Sequence, residues 1–259
     1  PATVLLFSPH PDDDVISVGG TLIRLVEQGH KVHIAYMTSG NIAVFDHDAW
    51  RFTDFVVEFN RIFGIDSVQT DLVKDRVRNF LHAKEPGQSD SDDVLKIKGL
   101  IRATEARAGA AACGVPPEQL EFMDLRFYRT GTIAKAPIHP QDIQDIADLL
   151  VRLKPAQIYV AGEMSDPHGT HRMCVGDVKA VFPDTIERVV PLSPEDVERK
   201  KMAIFRHQSQ KDKAMFPGGS DRREFWQRAE DRNKKTAQTY DLLGLPEFYA
   251  LEGFVRWKE

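Results

Sequence analysis

The stretch "TVLLFSPHPDDDVISVGGTLIRLVEQGHKVHIAYMTSGN", from Thr3 to Asn41, is the part of the sequence that decides the fold. It opens with an apolar, β-branched run, Thr3–Ser8, which is typical of a buried parallel strand. Apolar residues then recur at helical spacing as far as Gly29, and a second strand-like run starts at Lys31. A strand, a helix and a strand within about forty residues predict a right-handed βαβ unit.

The rest of the chain continues this alternation of strands and helices. Helices are predicted at about 48–63, 94–114, 139–155 and 193–210, with a last helix before the final strand, and strands are predicted at 120–125, 156–162 and 249–257. The polar segment 82–93 is predicted to be a surface loop. We therefore expect an α/β fold, a Rossmann-like three-layer sandwich with a mostly parallel sheet and helices on both faces. No Gly/Ser-rich or Pro-rich linker divides the chain, so residues 1–259 are expected to form a single domain.

Composition excludes several classes of protein. The formal net charge of −5, without a basic face, argues against a nucleic-acid partner. No apolar stretch is long enough to cross a bilayer and no secretory leader is visible, so no membrane partner is expected. The two cysteines, Cys113 and Cys174, form neither a CxxC pair nor a disulfide framework, which favours a reducing, cytoplasmic location. A homo-oligomer is compatible with the sequence, which does not fix the number of copies.

Polar side chains follow two of the predicted strands. His10, Asp12 and Asp13 come directly after the first strand, at the sheet edge where doubly wound folds bind ligands. The spacing lets His10 and Asp13 face one point, with Asp12 turned elsewhere. His168 and His171 follow a later strand and share a face of a helical turn, so that one can bind a metal while the other faces a substrate.

Two histidines, one carboxylate and a water form a common catalytic zinc arrangement. Such a metal polarises an acyl carbonyl and acidifies its water, while a nearby carboxylate takes the proton and an imidazole stabilises the oxyanion or protonates the leaving amine. These are the groups that amide hydrolysis needs. The alternatives are a helix N-cap for the Asp cluster and structural roles for the histidines. Cys174 is a rival ligand, but a small buried hydrophobic residue fits it better.

Four segments spread over nearly the whole chain carry recognisable motifs. They are "SPHPDDDVISVGGTLIRLVEQGHKVHIAYMTSGN" (8–41), "IRATEARAGAAACGV" (101–115), "KPAQIYVAGEMSDPHGTHRMC" (154–174) and "IFRHQSQ" (204–210). Together they resemble the LmbE/PIG-L family of zinc-dependent N-deacetylases. The opening motif of that family is a small residue or Pro followed by His-Pro-Asp-Asp, usually with Glu next.

The resemblance implies a role for each residue of the two motifs. His10, Asp13 and His171 would hold one Zn²⁺ per chain, Asp12 would be the general base, and His168 would stabilise the oxyanion. Members remove acetyl groups from N-acetylglucosamine units. The chain more closely resembles the deacetylase-like half of bacterial proteins that begin with a glucosamine-6-phosphate deaminase, and stand-alone relatives acting on N-acetylglucosamine or diacetylchitobiose. The expected activity is hydrolysis of the N-acetyl amide of such a small-molecule amino sugar, which is free, 6-phosphorylated or a diacetylchitobiose, to acetate and a free amine.

Two departures from the family pattern leave roles open. Asp14 stands where Glu is usual, and "HGTH" lacks the Asp that many members have before the last His, so that Asp166 is a candidate for a supporting carboxylate. Asn41 and Arg51 lie where the family contacts its substrate, and are expected to bind sugar hydroxyls or a phosphate. The alternative is that Asn41 is only a loop amide and that Arg51 is only a solvated arginine.

Other functions remain as hypotheses. A two-metal phosphoesterase would need more carboxylates than this chain offers. A non-catalytic sugar-binding module would not need both Asp12 and His168. Gly19-Gly20 follows a strand, but without a GxGxxG pattern it is a weak dinucleotide signal. The Phe216–Trp226 loop either stacks on sugars or packs on the core.

Overall fold

The computed structural model describes residues 1–160, 169–175, 186–210 and 223–256. In chain order the elements are β1 (Thr3–Ser8), α1 (Asp13–Glu27), β2 (Lys31–Tyr36), α2 (Asp46–Phe63), α3 (Val68–Ala83), α4 (Asp92–Ala112), β3 (Leu120–Phe122), α5 (Pro140–Leu153), β4 (Gln157–Val160), α6 (Thr170–Val175), β5 (Arg188–Leu192), α7 (Pro194–Ile204), α8 (Phe225–Leu242) and β6 (Ala250–Phe254).

Four strands form one parallel sheet in the order β3-β2-β1-β4. In β1, Val4 lies opposite Val32 of β2 and Gln157 of β4. Every residue of β1 from Val4 to Ser8 is buried, because a central parallel strand is covered on both faces. The βαβ unit and the mostly parallel sheet predicted from the sequence are confirmed.

Helices cover both faces of this sheet. Val4 and Leu6 point into a core shared with α1, α4, α7 and α8. Leu5 and Phe7 point the other way, into a second core with α5 and α6. Alternate residues of one strand thus fill opposite cores, as the two-residue period of a strand requires. The three-layer α/β sandwich is confirmed.

Between β2 and α4, the helices α2 and α3 form a hairpin with a small core of its own, made by Ala49, Val77 and Val94. At its base the buried Lys98 ammonium donates to Asp46 and Asp90, at 2.6 Å each. The sequence analysis missed α3, although its apolar residues recur at helical spacing: Val68, Leu72, Val73, Val77, Phe80 and Leu81. The predicted polar loop is shortened to the residues between α3 and α4.

A second, antiparallel sheet pairs β5 with β6. The sequence predicted β6 but not β5, whose Pro191 is unusual inside a strand and tolerated only where the pairing is one-sided. This sheet packs on α1, where a Cβ on Gly20 would lie 2.5 Å from Leu192 Cδ2. Gly19 and Gly20 therefore serve close packing inside a helix, which removes the support for a dinucleotide loop.

None of the helices in the described ranges is both long and apolar enough to span a bilayer.

Candidate metal centre and active site

The His-Pro-Asp-Asp loop is a tight turn at the carboxyl end of β1. The amide of Asp12 donates to the His10 carbonyl at 2.9 Å, and the Ser8 hydroxyl donates to the same oxygen at 2.6 Å. The Thr38 hydroxyl, just beyond β2, donates to the Pro9 carbonyl at 2.7 Å. Two neighbouring strands thus fix the backbone from which the histidine and the aspartates project.

Three side chains converge above this turn. His10 Nδ1 lies 3.1 Å from Asp13 Oδ2, and His171 Nε2 lies 3.2 Å from the same oxygen. The two ring nitrogens are 3.2 Å apart. His171 comes from α6, whose start follows β4, so neighbouring strands deliver both halves of the cluster to one sheet edge. This confirms that the two distant motifs meet, which the sequence could only predict.

The spacing of the three ligand atoms fits a small divalent metal. Ligand atoms about 2.0–2.1 Å from a tetrahedral Zn²⁺ lie roughly 3.3 Å from one another, close to the separations found here. Two imidazoles and one carboxylate are also a donor set that Zn²⁺ accepts, and other first-row divalent ions accept it as well. Among the described residues, this is the group of His, Cys, Asp and Glu side chains arranged to hold a metal.

Asp13 has the charge that a metal ligand needs. Burial alone would raise the pKa of its carboxyl, but the charge of His171 and the hydrogen bonds from His10 and His171 outweigh burial and hold that pKa well below its usual range. The group is therefore a carboxylate across the physiological pH range.

Asp12 does not join the cluster. It is 6% exposed, and its Oδ1 lies 3.0 Å from Nη2 of Arg102, a side chain of α4 that is 1% exposed. Nε and Nη1 of Arg102 have no hydrogen-bond partner among the described residues. Gly40, at φ 63°, makes room for this guanidinium, since a Cβ there would lie 3.0 Å from Nε. The pair leaves one carboxylate oxygen of Asp12 and two guanidinium nitrogens available.

Asp14 faces the interior below the turn. It is fully buried and accepts a hydrogen bond from the Tyr36 hydroxyl at 2.8 Å, while its own amide donates to the Ser8 hydroxyl at 3.0 Å. Burial raises the pKa of this carboxyl to about 7, although the Tyr36 hydrogen bond opposes the shift. The three consecutive aspartates thus occupy three environments: a metal-type cluster, an arginine pair and a tyrosine pocket.

A family described as PIG-L, GlcNAc-PI de-N-acetylase, matches residues 5–182 of the sequence. The chain belongs to the PIG-L family. This confirms the resemblance on which the sequence analysis drew.

One curated relative of this PIG-L chain is a glucosamine-6-phosphate deaminase-like protein of Bacteroides thetaiotaomicron. The two are 46% identical over 288 residues, which cover 99% of this chain and 43% of the relative. The chain therefore spans less than half the length of that relative.

Solved structures show how widely the fold is used. The N,N′-diacetylchitobiose deacetylase of Pyrococcus horikoshii matches with a TM-score of 0.56 at 18% identity, covering 98% of this chain and 84% of that one. GalB, the 4-carboxy-2-hydroxymuconate hydratase of Pseudomonas putida KT2440, matches with a TM-score of 0.56 at 15% identity, covering 100% and 99%. A deacetylase and a hydratase share the architecture, so the fold alone does not choose the reaction.

In this PIG-L chain a second wall of the site comes from residues after α7. The carboxylate of Glu105, on α4, accepts from the Ser209 amide at 2.7 Å and from its hydroxyl at 2.6 Å. His207 is 3% exposed, and burial lowers the pKa of its imidazole to about 4. Gly109 lets the ring approach α4, since a Cβ there would lie 2.6 Å from Nε2. The packed, neutral imidazole of His207 and the hydrogen bonds between Glu105 and Ser209 hold residues 207–209 in place behind Asp12.

A narrow cleft with room for about one water molecule lies beside Asp12, between α7, the segment after it and α8. Its walls include Asp12, His207, Phe205, Phe225 and Trp226. The rings of Phe205 and Trp226 lie 5.8 Å apart. Trp226 therefore both packs against a neighbouring ring and lines the approach to the carboxylate.

The two residues predicted to contact the substrate, Asn41 and Arg51, lie in different surroundings. Asn41 lies in a 3₁₀-helix after β2, against Gly99 of α4, and its Oδ1 has no hydrogen-bond partner among the described residues. Arg51 lies on the exposed side of α2, with its guanidinium 2.9 Å from Asp48. Its role as a substrate contact stays a prediction.

Other residues named from the sequence lie outside the described ranges: His168, Asp166 and Phe216. Cys174 is described and packs with the second core, as predicted for a small hydrophobic residue.

Sequence reasoning gave no role to Arg102 or Glu105, although both lie within the residues that match the family. The signal was an arginine and a glutamate three residues apart on the mostly apolar face that α4 buries. A buried charge needs a partner, so each pointed to a polar site beside that helix.

Proposed function

We propose that this protein hydrolyses the N-acetyl amide of an N-acetylglucosamine-type sugar, with one Zn²⁺ per chain held by His10, Asp13 and His171. The observation that carries the proposal is the convergence of these three ligand atoms beside a second carboxylate, Asp12, which is not part of the cluster. Membership of a family described by de-N-acetylation supports the same reaction class.

The reaction breaks the amide C–N bond with one water. The water oxygen adds to the acetyl carbon, the C–N bond breaks, and the products are acetate and the sugar ammonium, whose nitrogen receives both protons of the water. When bound, the ion would polarise the carbonyl and lower the pKa of the attacking water.

Asp12 would take the proton from that water. Its pairing with Arg102 fixes one oxygen and leaves the other to act as base. Arg102 is thus a positioning residue, because it orients the base. The proton would then pass to the leaving amine. His168, three residues before His171, would stabilise the developing oxyanion.

The sugar itself is proposed from polar groups near the cluster. The Oδ1 atom of Asn41 and the two free nitrogens of Arg102 are buried and offer hydrogen bonds on the side of the loop after β2. A free sugar, its 6-phosphate and diacetylchitobiose are the three candidates.

The test is acetate release from these three substrates by the zinc-loaded protein. We expect Asp12→Asn to keep its zinc and to lose about 100-fold or more in kcat, because the base is removed and the ligands stay. His10→Ala should lose both zinc and activity. An Asp12→Asn protein without metal would contradict the assigned roles, and no acetate from any acetylated amino sugar would contradict the proposed reaction.

The phosphoesterase hypothesis gains no support. A two-metal site needs a second cluster of ligands, and in the described part of the chain only one such cluster is found.

A further inference from the structure

Helix α2 carries an apolar face that its own hairpin does not use. Its inward residues, Ala49, Thr53, Val57 and Asn60, are buried. A separate stripe lies on the outer side and consists of Phe52, Phe55, Val56, Phe59, Ile62 and Phe63. Phe55 is 63% exposed, Ile62 71% and Phe63 65%. The hairpin already has its small core, so the stripe is not needed for folding.

The stripe is continuous and large. Ring centroids of Phe55 and Phe59 lie 6.1 Å apart, and those of Phe59 and Phe63 lie 4.5 Å apart. With Phe45 just before the helix, which is 41% exposed, the apolar face runs the full length of α2. It exposes roughly 700 Å², taking about 150–250 Å² for a whole large side chain. This exceeds the largest patch of a typical monomer, about 300–600 Å², and approaches the roughly 800 Å² that one partner buries in a standard interface.

We propose that α2 is the interface of a symmetric dimer, in which a second copy of this chain lies antiparallel across the stripe. The stripe from Phe45 to Phe63 is centred at position 54. A two-fold axis there would bring Phe55 against its own copy and Phe63 near Phe45 of the second copy. Such an interface is self-complementary, as two-fold symmetry requires.

The charges on the helix are centred about half a residue further along the chain. Reversing α2 about the point between Asp54 and Phe55 sets Arg51 opposite Glu58 of the second copy. Within one chain these residues form the pairs Asp48–Arg51 and Glu58–Arg61. By symmetry the contact between Arg51 and Glu58 of the second copy would form twice. Asp54, closest to the axis, is already neutralised by Lys74 at 2.8 Å.

A membrane is a poorer occupant of this face. Helices that bind lipid surfaces carry Lys and Arg on their polar side. α2 has more acidic than basic groups, with Asp46, Asp48, Asp54 and Glu58 against Arg51 and Arg61. Mixed charge favours another protein surface of matching pattern.

The test is the mass of the chain in solution, measured by light scattering and sedimentation over a wide range of concentration. We expect twice the chain mass of 29.3 kDa. Phe55→Glu would set two carboxylates face to face and should raise the dimer Kd at least about thirtyfold. Ile143→Glu, at a position on α5 that is 62% exposed, is the matched control and should leave the Kd unchanged.

A charge exchange tests the antiparallel order. Glu58→Arg alone should weaken the dimer about tenfold by opposing Arg51 of the second copy, and the double variant Arg51→Glu/Glu58→Arg should recover the affinity. A monomer at every concentration would overturn the proposal, as would a Phe55→Glu dimer as tight as the control. A double variant weaker than Glu58→Arg would overturn the proposed order of the helices.

Discussion

At the scale of single residues, the ion pair between Asp12 and Arg102 sets the properties of the proposed base. Arg102→Ala should lower kcat for acetate release about 100-fold, because Asp12 loses the group that orients it. Metal content should not change, since Arg102 is not in the cluster. Steady-state kinetics with metal analysis checks both statements.

Arg107→Ala is the control for that variant. Arg107 lies on the same helix, but its guanidinium stacks on the Phe122 ring at the surface, 4.7 Å from the centroid. It should retain full activity. Equal kcat values for the two variants would show that Arg102 has no positioning role.

How much of the site could be predicted differs from residue to residue. His10 and Asp13 share a turn, so three positions of local sequence were enough to pair them. The contact of Asp12 with Arg102 joins residues ninety positions apart in the sequence, and only the packing of α4 against the loop reveals it. Asp14 looked like its two neighbours, yet it points into the core, because consecutive residues at a strand-to-helix turn leave in different directions.

His33, in β2, should make stability depend on pH. It is 4% exposed, and neither ring nitrogen has a hydrogen-bond partner among the described residues. Burial, followed by the charge of Lys31, lowers its pKa in the folded state. Below about pH 6.5 the unfolded chain therefore binds the proton more readily, and stability falls as the pH drops through that value.

Two variants of His33 separate the effect of its titration from the cost of burying its unpaired polar atoms. His33→Gln removes the titration and should flatten the pH dependence. His33→Leu also removes two buried polar atoms and should raise the free energy of unfolding by about 1 kcal/mol at pH 8, and by more at pH 5. Urea denaturation at the two pH values measures this, and a pH dependence identical to that of the unchanged protein in both variants would refute it.

At the scale of elements, a buried carboxylate joins β6 to the bend in α1. The backbone of α1 departs from helical geometry at Val18. Just after it, the amides of Gly20 and Thr21 donate to Glu252 at 3.0 and 2.8 Å. Lys200 of α7 donates to the same carboxylate at 2.7 Å, and both side chains are almost fully buried. Glu252 thus caps the second half of α1 and neutralises a buried ammonium.

Removing one member of that pair should be far worse than replacing both. Glu252→Gln leaves Lys200 buried without a counter-charge, so the free energy of unfolding should fall by about 3–5 kcal/mol. The double variant Glu252→Gln/Lys200→Met should recover much of that loss. A double-mutant cycle in urea measures the coupling, and additive losses would show that the two groups act independently.

Elements with a clear period were predictable and the others were not. β1, α1 and β2 have long apolar patterns, and their observed bounds lie close to the predicted ones. α3 also has an apolar period, so its sequence was enough to predict it, although it was not predicted. β5 contains a proline and pairs on one side only, so it produced no pattern in the sequence and is held by tertiary contacts that local sequence does not record.

At the scale of the whole molecule, the strand order brings together residues that are far apart in the chain. His10 and His171 are 161 positions apart, and they meet because β1 and β4 are neighbours in the sheet. That residues 1–259 form a single domain stays a prediction. Any ion that binds both histidines would link the two chain segments and stabilise the folded state, because the unfolded chain does not hold the ligands together.

Metal addition should therefore raise the unfolding temperature. At a free Zn²⁺ concentration about a hundred times the Kd, the folded state gains about 2.7 kcal/mol, which corresponds to roughly 5–10 °C for a chain of this size. His171→Ala keeps the fold, since this side chain lies at the edge of the sheet, but it should lose most of the shift. Asp12→Asn should retain the shift, because Asp12 is outside the cluster. Scanning calorimetry of the chelator-treated protein, with and without added zinc, measures the shift in unfolding temperature for the unchanged protein and for both variants. An equal shift in the His171→Ala protein would place the metal elsewhere.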